Sequence, residues 1–298
     1  MQLLKSLLLV SFVIVSLGVV SSCSARIANP YPIALQRQGD IYIIRNSKEI
    51  EKLTSTGDVL ELCWLDQENI CFTRKFVTGL EETRDWSGFS TLYDLFLIPR
   101  DGGSIQQFTG NHFARGPSAG NMPGRAIFWR DNTPFATSSE IWETIKEVRR
   151  DRPLGISAIT PDASPDQRWI SGVYGLDIPE GIGLYKYPSS ERYRKFDGPF
   201  SRPRFSPDSR LLAFINQEAG KTQIWGFDMP DGEPRLLLEF SEIINRVVDL
   251  GWAKDGSGYI LVLEDKDLKR DVYYWELQTK QLKRLTQFED VNFATSFH

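Results

Sequence analysis

The chain has few of the side chains that carry most nucleophilic and metal chemistry. Its 298 residues include only two histidines, His112 and His298, and three cysteines. A metal centre built from several histidines is therefore excluded. A Ser-His-Asp site would depend on His112 alone, and no G-x-S-x-G sequence accompanies it.

The charge of the chain also limits its expected partners. The formal net charge is −4 and no long basic stripe occurs, so nucleic acid is not an expected partner. The 39 acidic residues are too many to single out one catalytic pair. An enzyme that works with paired carboxylates, such as a glycosidase, therefore stays open as an alternative.

The segment from Arg202 to Leu238 reads as four short strands joined by three turns. Its first turn, Ser206–Ser209, contains Pro207, which presets φ, and an aspartate that can bond its own backbone. Its last turn, Met229–Gly232, has the same chemistry. One four-stranded antiparallel sheet leaves both faces and both edges bare, so the segment is expected to pack against similar units.

Copies of this unit recur at intervals of roughly 40–55 residues, a spacing typical of propeller blades. The first turn reappears clearly at Ser164–Arg168 and Trp252–Gly256, and weakly at Cys63–Gln67 and Asn121–Arg125. The aspartates of the clear turns are explained by turn geometry rather than by catalysis. The eight Trp, ten Tyr and eighteen Phe suit packing between blade faces.

The repeat resembles that of TolB-type β-propellers: an aromatic-S-P-D turn, a D-I-Y/W strand and an ending with L-T. Arg202–Leu238 matches it well, Ile260–Thr286 fairly, and the copies before Gly155 weakly. The resemblance covers nearly all of the chain after the first thirty or so residues. It implies a propeller fold and a scaffold role in the cell envelope, although such folds host many unrelated activities.

The pattern predicts an all-β fold over residues 32–298, a six-bladed β-propeller of four-stranded antiparallel blades. The first blade, Pro32–Thr54, lacks its initial strand, and Val291–Phe297 is expected to supply it and close the ring. The other blades are expected at Gly57–Thr109, His112–Leu154, Ile156–Phe196, Arg202–Phe240 and Ile243–Phe288. A closed ring needs no partner for stability, so a monomer is expected.

Residues 1–23 read as an export signal, with Lys5 before an apolar run from Leu7 to Val20. Val20-Ser21-Ser22-Cys23 resembles the bacterial lipobox, in which Cys23 becomes lipidated after cleavage. The alternative is an ordinary signal cut near Ser22 or Ala25. By analogy, Ser24 rather than aspartate after Cys23 favours the periplasmic side of the outer membrane in a diderm host.

Residues 24–31 then form a short tether, without the α/β domain that precedes the propeller in TolB itself. The sequence therefore predicts a bare propeller on a lipid anchor, held at a membrane surface without a spanning helix.

Two further features have two readings each. The insertion Lys75–Phe89 contains Trp86 and Phe89, which either anchor a partner at a lip or fold back onto the blade.

Cys63 and Cys71 flank a predicted hairpin turn. They either form a cross-strand disulfide or pack as two buried thiols.

The sequence leaves two hypotheses for the function. The first is a non-enzymatic scaffold that binds an envelope protein on one rim or in the channel, with no cofactor. The second is a propeller enzyme of glycosidase, lyase or lactonase type. It would use carboxylates at the channel mouth, and a cation bound in the channel stays open. Inward-facing carboxylates would favour the enzyme, whereas a channel lined by backbone and apolar groups would favour the scaffold.

Overall fold

The computed structural model describes residues 30–77, 91–110, 112–120, 122–131, 139–148, 150–175, 180–216, 218, 222–240 and 243–296. These residues form six four-stranded antiparallel sheets, which confirms the predicted class. No helix in this part of the chain is long and apolar enough to cross a membrane.

The sheets are blades that follow one another along the chain. Blade 1 contains β1 (Ile33–Arg37), β2 (Asp40–Asn46), β3 (Glu49–Lys52) and the last strand, β24 (Val291–Ser296). Blade 2 contains β4 (Val59–Trp64), β5 (Asn69–Val77), β6 (Thr91–Pro99) and β7 (Gln106–Gln107). Blade 3 contains β8 (Ala114–Ala119), β9 (Arg125–Asp131), β10 (Ser139–Ile145) and β11 (Arg152–Ser157).

The other three blades have the same order. Blade 4 contains β12 (Ile159–Ala163), β13 (Trp169–Tyr174), β14 (Gly181–Lys186) and β15 (Arg192–Asp197). Blade 5 contains β16 (Phe200–Phe205), β17 (Leu211–Asn216), β18 (Gln223–Asp228) and β19 (Arg235–Glu239). Blade 6 contains β20 (Ile244–Trp252), β21 (Gly258–Asp265), β22 (Arg270–Glu276) and β23 (Gln281–Arg284).

The ring closes as predicted, because β24 pairs with β1 and places Ser296 opposite Ile33. The predicted boundary between blades 3 and 4 is wrong. Ile156 pairs with Ile141 and so belongs to the outer strand of blade 3. The outer strand of blade 3, β11, and the inner strand of blade 4, β12, are separated by Ala158 alone, so the turn signal that usually marks a boundary is missing.

Two faces of the ring can be distinguished by their connections. On the first, the inner strand of each of blades 2 to 6 turns into the second strand; we call this the turn face. The Ser-Pro-Asp turns lie here, and their aspartates cap the turns as predicted. Asp166 accepts from the Arg168 backbone N–H at 3.1 Å, and Asp208 from that of Arg210 at 3.1 Å. The opposite face carries the links between blades and the connections from second to third strands.

Aromatic side chains fill the space between blades, as composition suggested. Between blades 4 and 5, for example, the rings of Phe196 and Phe227 lie 4.2 Å apart at their centroids. Phe205 and Phe214 are buried in the same cluster. Each fully buried ring contributes about 2–3 kcal/mol by removing apolar surface from water. Apolar packing of blade on blade therefore contributes to the stability of the ring.

A buried carboxylate clamp repeats in blades 1, 2 and 6. An aspartate at or near the start of the third strand accepts a hydrogen bond from a threonine that follows the fourth strand. The pairs are Asp40–Thr54 at 3.1 Å, Asp94–Thr109 at 2.9 Å and Asp271–Thr286 at 2.6 Å. The threonine oxygen in turn accepts a backbone N–H at 2.9–3.0 Å. The clamp thereby fixes the segment that leads into the next blade.

The three clamps differ in their charge balance. Lys52 lies 2.8 Å from Asp40, and Arg284 pairs with Asp271. At the corresponding position in blade 2, neutral Gln107 donates to Asp94 at 3.1 Å. We expect Gln107→Lys to stabilise the protein by about 0.5–1 kcal/mol, because it places a cation beside the Asp94 carboxylate at the position where the other two clamps have one. Urea unfolding of wild type and variant measures the change, and an equal or lower midpoint would contradict it.

Candidate functional site

The six inner strands β4, β8, β12, β16, β20 and β24 surround a narrow central channel. Its cavity measures about 60 Å³. A water occupies roughly 10–15 Å³ by this measure, so the channel holds only a few waters. A small bound molecule of the size of a sugar does not fit inside it.

A repeated bulge shapes three of these strands. Gly116-Pro117, Thr160-Pro161 and Arg202-Pro203 occupy the same place in β8, β12 and β16, and the pairing register skips there. The first residue of each pair has a positive φ, between 46° and 57°. Proline is tolerated because a bulge at a sheet edge needs no ladder N–H. The bulge decides which side chains beyond it face the channel.

The channel carries charge of both signs. Glu61, Asp162 and Asp249 line it together with Arg202 and Arg204. Asp162 accepts hydrogen bonds from Ser118 Oγ at 2.5 Å and from the Phe205 backbone N–H at 2.7 Å. The channel thus matches neither sequence expectation, since its carboxylates are accompanied by arginines.

Asp249 is the least satisfied of these groups. Its side chain is 7% exposed, and Arg202 Nε and Arg204 Nη2 lie 3.8 and 4.0 Å from Oδ1, beyond hydrogen-bond distance. Oδ1 has no hydrogen-bond partner, whereas Oδ2 accepts from the Ala294 N–H at 3.3 Å. Burial raises the pKa of Asp249 above its ordinary value, although both arginines oppose the shift. A charged group that costs stability where it stands is a candidate functional group.

This cost gives a pH-dependent prediction. Because the native pKa of Asp249 is raised, the unfolded state releases its proton first, near pH 3.9. The contribution of Asp249 to stability is therefore present below that pH and is lost as the pH rises through the native pKa. We expect the stability of Asp249→Asn relative to wild type to increase from about pH 4 to about pH 7. Urea unfolding at both pH values measures this, and a constant or decreasing difference would contradict it.

Above the channel, on the turn face, the cavity widens into a depression of about 770 Å³ that we call the mouth. Its lining shares Trp64, Ala119 and Pro165 with the channel, so the two spaces are continuous. Turns of blades 2, 3, 5 and 6 contribute the rest, with Leu65, Asp66, Gln67, Glu68, Asn69, Met122, Pro123, Lys146, Pro207 and Lys254. Proline and turn backbone make this a rigid wall, and Met122 is 44% exposed within it.

None of the described residues that line the mouth was predicted from the sequence as a site residue. Trp86, Phe89 and Cys23 lie outside the described residues. The strands on either side of the Trp86 segment, β5 and β6, end and begin on the face opposite the mouth. The partner-binding lip at Trp86 and Phe89 therefore stays a prediction. The mouth itself was missed because its prolines read only as turn residues.

Cys63 and Cys71 are direct cross-strand partners in β4 and β5, as the hairpin predicted. Both are free and buried in the structure. Burial, together with the Cys63 thiol, raises the pKa of the Cys71 thiol well above its ordinary value. The suggested disulfide stays a prediction, since paired strands bring Cα atoms within about 5.5 Å, inside bonding range.

We expect oxidised glutathione to convert the pair to a disulfide, with loss of two hydrogen atoms from the protein. The high thiol pKa of Cys71 should make the reaction slow near neutral pH. Mass spectrometry after denaturation and alkylation without reductant measures the outcome. Alkylation of both residues after prolonged oxidation would contradict it and leave two packed thiols.

His112, the remaining histidine candidate, belongs to a structural clamp. Its Nδ1 lies 3.1 Å from Asp94 Oδ2, and its backbone N–H donates to Asp94 Oδ1 at 3.1 Å. In the described ranges, no three His, Cys, Asp or Glu side chains are placed to hold a metal ion.

The closed ring with its narrow channel and wide mouth is a six-bladed β-propeller, and solved structures share this fold. The chain is similar to the crystal structure of TolB from Acinetobacter baumannii, with a TM-score of 0.68 and 14% identity. The match covers 89% of this chain and 65% of that TolB chain. A TolB from Agrobacterium tumefaciens gives a TM-score of 0.57 at 16% identity, over 76% of this chain and 84% of that one.

A chain in the crystal structure of a nidogen/laminin complex is similar too. Its TM-score is 0.63 at 11% identity, over 89% of this chain and 97% of that chain. No protein-family profile matches the sequence, and no curated protein matches it. The chain is thus TolB-like in its propeller, and identities of 11–16% show the fold alone.

Proposed function

We propose that this chain is an exported, lipid-anchored propeller of the cell envelope that binds a protein partner at its mouth and catalyses no reaction. The observation that carries the proposal is the mouth itself. It is a depression of about 770 Å³ with an apolar wall and charged rim residues, closed below by the narrow channel. A rigid depression of this kind suits a side chain or loop inserted from another protein.

The rim offers charges of both signs for orientation of a partner. Asp66 and Glu68 stand on one side, and Lys146 and Lys254 come from other blades. Apolar contacts at Met122 and the turn prolines would supply affinity, while the rim charges would govern approach and register. The TolB-like fold supports an envelope role by analogy.

The proposed cellular location rests on the sequence. Val20-Ser21-Ser22-Cys23 follows an apolar run and fits a lipoprotein signal, and Ser24 favours the outer membrane of a diderm host. A lipid at Cys23 would hold the protein at the membrane surface. Mass spectrometry of protein purified from membranes tests this directly, since an acylated N-terminal cysteine is expected.

No specific observation favours the enzyme. A glycosidase needs two carboxyl groups on either side of a sugar, roughly 5–9.5 Å apart. The channel carboxylates Glu61, Asp162 and Asp249 surround a cavity of about 60 Å³, which does not admit a sugar. The charged channel is better suited to binding a few waters, or to setting the electrostatic potential at the mouth, than to turning over a substrate.

Affinity capture from envelope extract tests the binding proposal. Three forms of the chain from Ser24 serve as bait. They are the wild type, a mouth variant that carries both Met122→Arg and Pro207→Arg, and Leu268→Arg on the opposite face. Leu268 is 66% exposed, so its variant is a matched charge control. A partner retained by wild type and by the control, but lost by the mouth variant at unchanged Tm, is expected.

Loss of the same partner from Trp86→Ala and Phe89→Ala, with the mouth variant unaffected, would move the binding surface to the predicted lip. Retention by all variants, or by none of the proteins, would contradict a binding site at the mouth.

A further inference from the structure

The N-terminal segment enters the ring on the turn face. Ser296 Oγ donates to the Pro30 carbonyl at 3.0 Å, and Ile33 at the start of β1 pairs with Ser296 at the end of β24. The inner strands of the other blades end in their turns at this same level. The described chain therefore begins beside the mouth and not beside the opposite face.

The distance from Pro30 back to the candidate lipidation site is short. Seven residue steps separate Cys23 from Pro30. Even a fully extended chain spans no more than about 3.3–3.6 Å per residue, which limits this segment to about 25 Å. The limit holds for any conformation of the segment.

To bring the opposite face to a membrane, the segment would have to pass around the ring. It would cross the two outer strands of blade 1, β2 and β3, at about 4.8 Å each. It would then descend the height of a strand, about 20 Å for six residues. The whole path is about 30 Å before any lipid is reached, which exceeds the length of the segment.

We propose that the anchor at Cys23 holds the turn face toward the bilayer, so that the mouth receives a partner attached to the same membrane. The inference rests on the proposed lipid anchor. The binding segment of that partner lies within about 25 Å of the bilayer surface, the reach of the tether. The opposite face, on which β5 ends and β6 begins, is directed away from this membrane and stays open to soluble proteins.

Energy transfer to a membrane dye tests the orientation. The chain from Cys23 is coupled through that thiol to maleimide lipid in vesicles that contain acceptor dye. A donor dye is placed by an unnatural amino acid at Lys254 on the turn face or at Leu268 on the opposite face. Both sites flank β21 (Gly258–Asp265), whose eight residues separate them by about 25 Å.

Higher transfer from the Lys254 position than from the Leu268 position is expected. A version with thirty Gly/Ser residues inserted after Ser24 is the control. Its added r.m.s. reach is about 30 Å, so the difference between the two positions should be lost. Equal transfer or higher transfer from Leu268 in the short version would overturn the proposal. If the two positions still differ in energy transfer with the long spacer, the short tether is not the cause of the orientation.

The coupling is chemical, so this experiment does not depend on lipidation in the cell. If Cys23 is unacylated in protein from native membranes, the proposed lipid anchor is wrong, whereas the orientation measured on vesicles still holds. A turn face directed away from the vesicle would sink the orientation while leaving a native lipid and a binding partner possible.

Discussion

Replacing Glu143 with alanine is expected to destabilise the protein by about 3–5 kcal/mol. Glu143 is buried in β10 and pairs with Arg125 of β9 and Arg152 of β11. Arg125 is only 2% exposed, and its guanidinium also lies over the Tyr187 ring, 4.2 Å from the centroid. Removal of the carboxylate leaves the Arg125 cation buried without its counter-charge, which is the costly way to break such a pair.

A matched double replacement distinguishes this cause from loss of packing. Arg125→Met with Glu143→Leu removes both charges and keeps most of the volume, so it should recover most of the lost stability. The exposed pair Arg235–Asp228 serves as the surface control, and Asp228→Asn should leave the urea midpoint almost unchanged. A Glu143→Ala variant as stable as this control would contradict a structural role for the buried pair.

Replacing Asp271 with alanine is expected to cost about 3–4 kcal/mol, because several charge-assisted hydrogen bonds end on one buried carboxylate. Asp271 accepts from Thr286 Oγ1 at 2.6 Å and from the Phe288 backbone N–H at 2.7 Å, and pairs with Arg284. These residues precede β24, the strand that closes the ring. Thermal unfolding measures the cost.

Hydrogen exchange adds a local readout for the same variant. The amides of β24 should exchange faster in Asp271→Ala, since the clamp fixes the segment that leads into the closing strand. Asp94→Ala in blade 2 is the matched control, as it removes the same type of clamp from the segment that leads into blade 3 rather than into β24. Equal exchange of β24 in both variants would show that the Asp271 clamp does not support closure.

Much of the fold was predictable from local patterns. The turn at Ser206–Ser209 and its copies identified the blades, and the incomplete first blade identified Val291–Phe297 as the closing strand. These signals are local because proline and aspartate act on their own backbone. The boundary near Ile156 was missed because no turn residues mark it.

The site could be predicted only in part. Arg202 and Arg204 face the channel because a bulge at Arg202-Pro203 shifts the register, and a one-residue shift reverses the face of every later side chain. The clamp between Asp271 and Thr286 joins positions fifteen residues apart in sequence. Contacts between positions this far apart depend on how a whole blade folds. Predicting which segments are strands was therefore not enough to predict them.

The most direct measurement is photo-crosslinking in the living host with a photoreactive residue at Met122, compared with the same residue at Leu268. We expect Met122 to crosslink a discrete, membrane-attached protein and Leu268 not to crosslink it. An excess of unlabelled wild-type chain should reduce this crosslink, whereas an excess of the Met122→Arg variant should not. Crosslinks to the same protein from Leu268 but not from Met122 would contradict the mouth as the binding site.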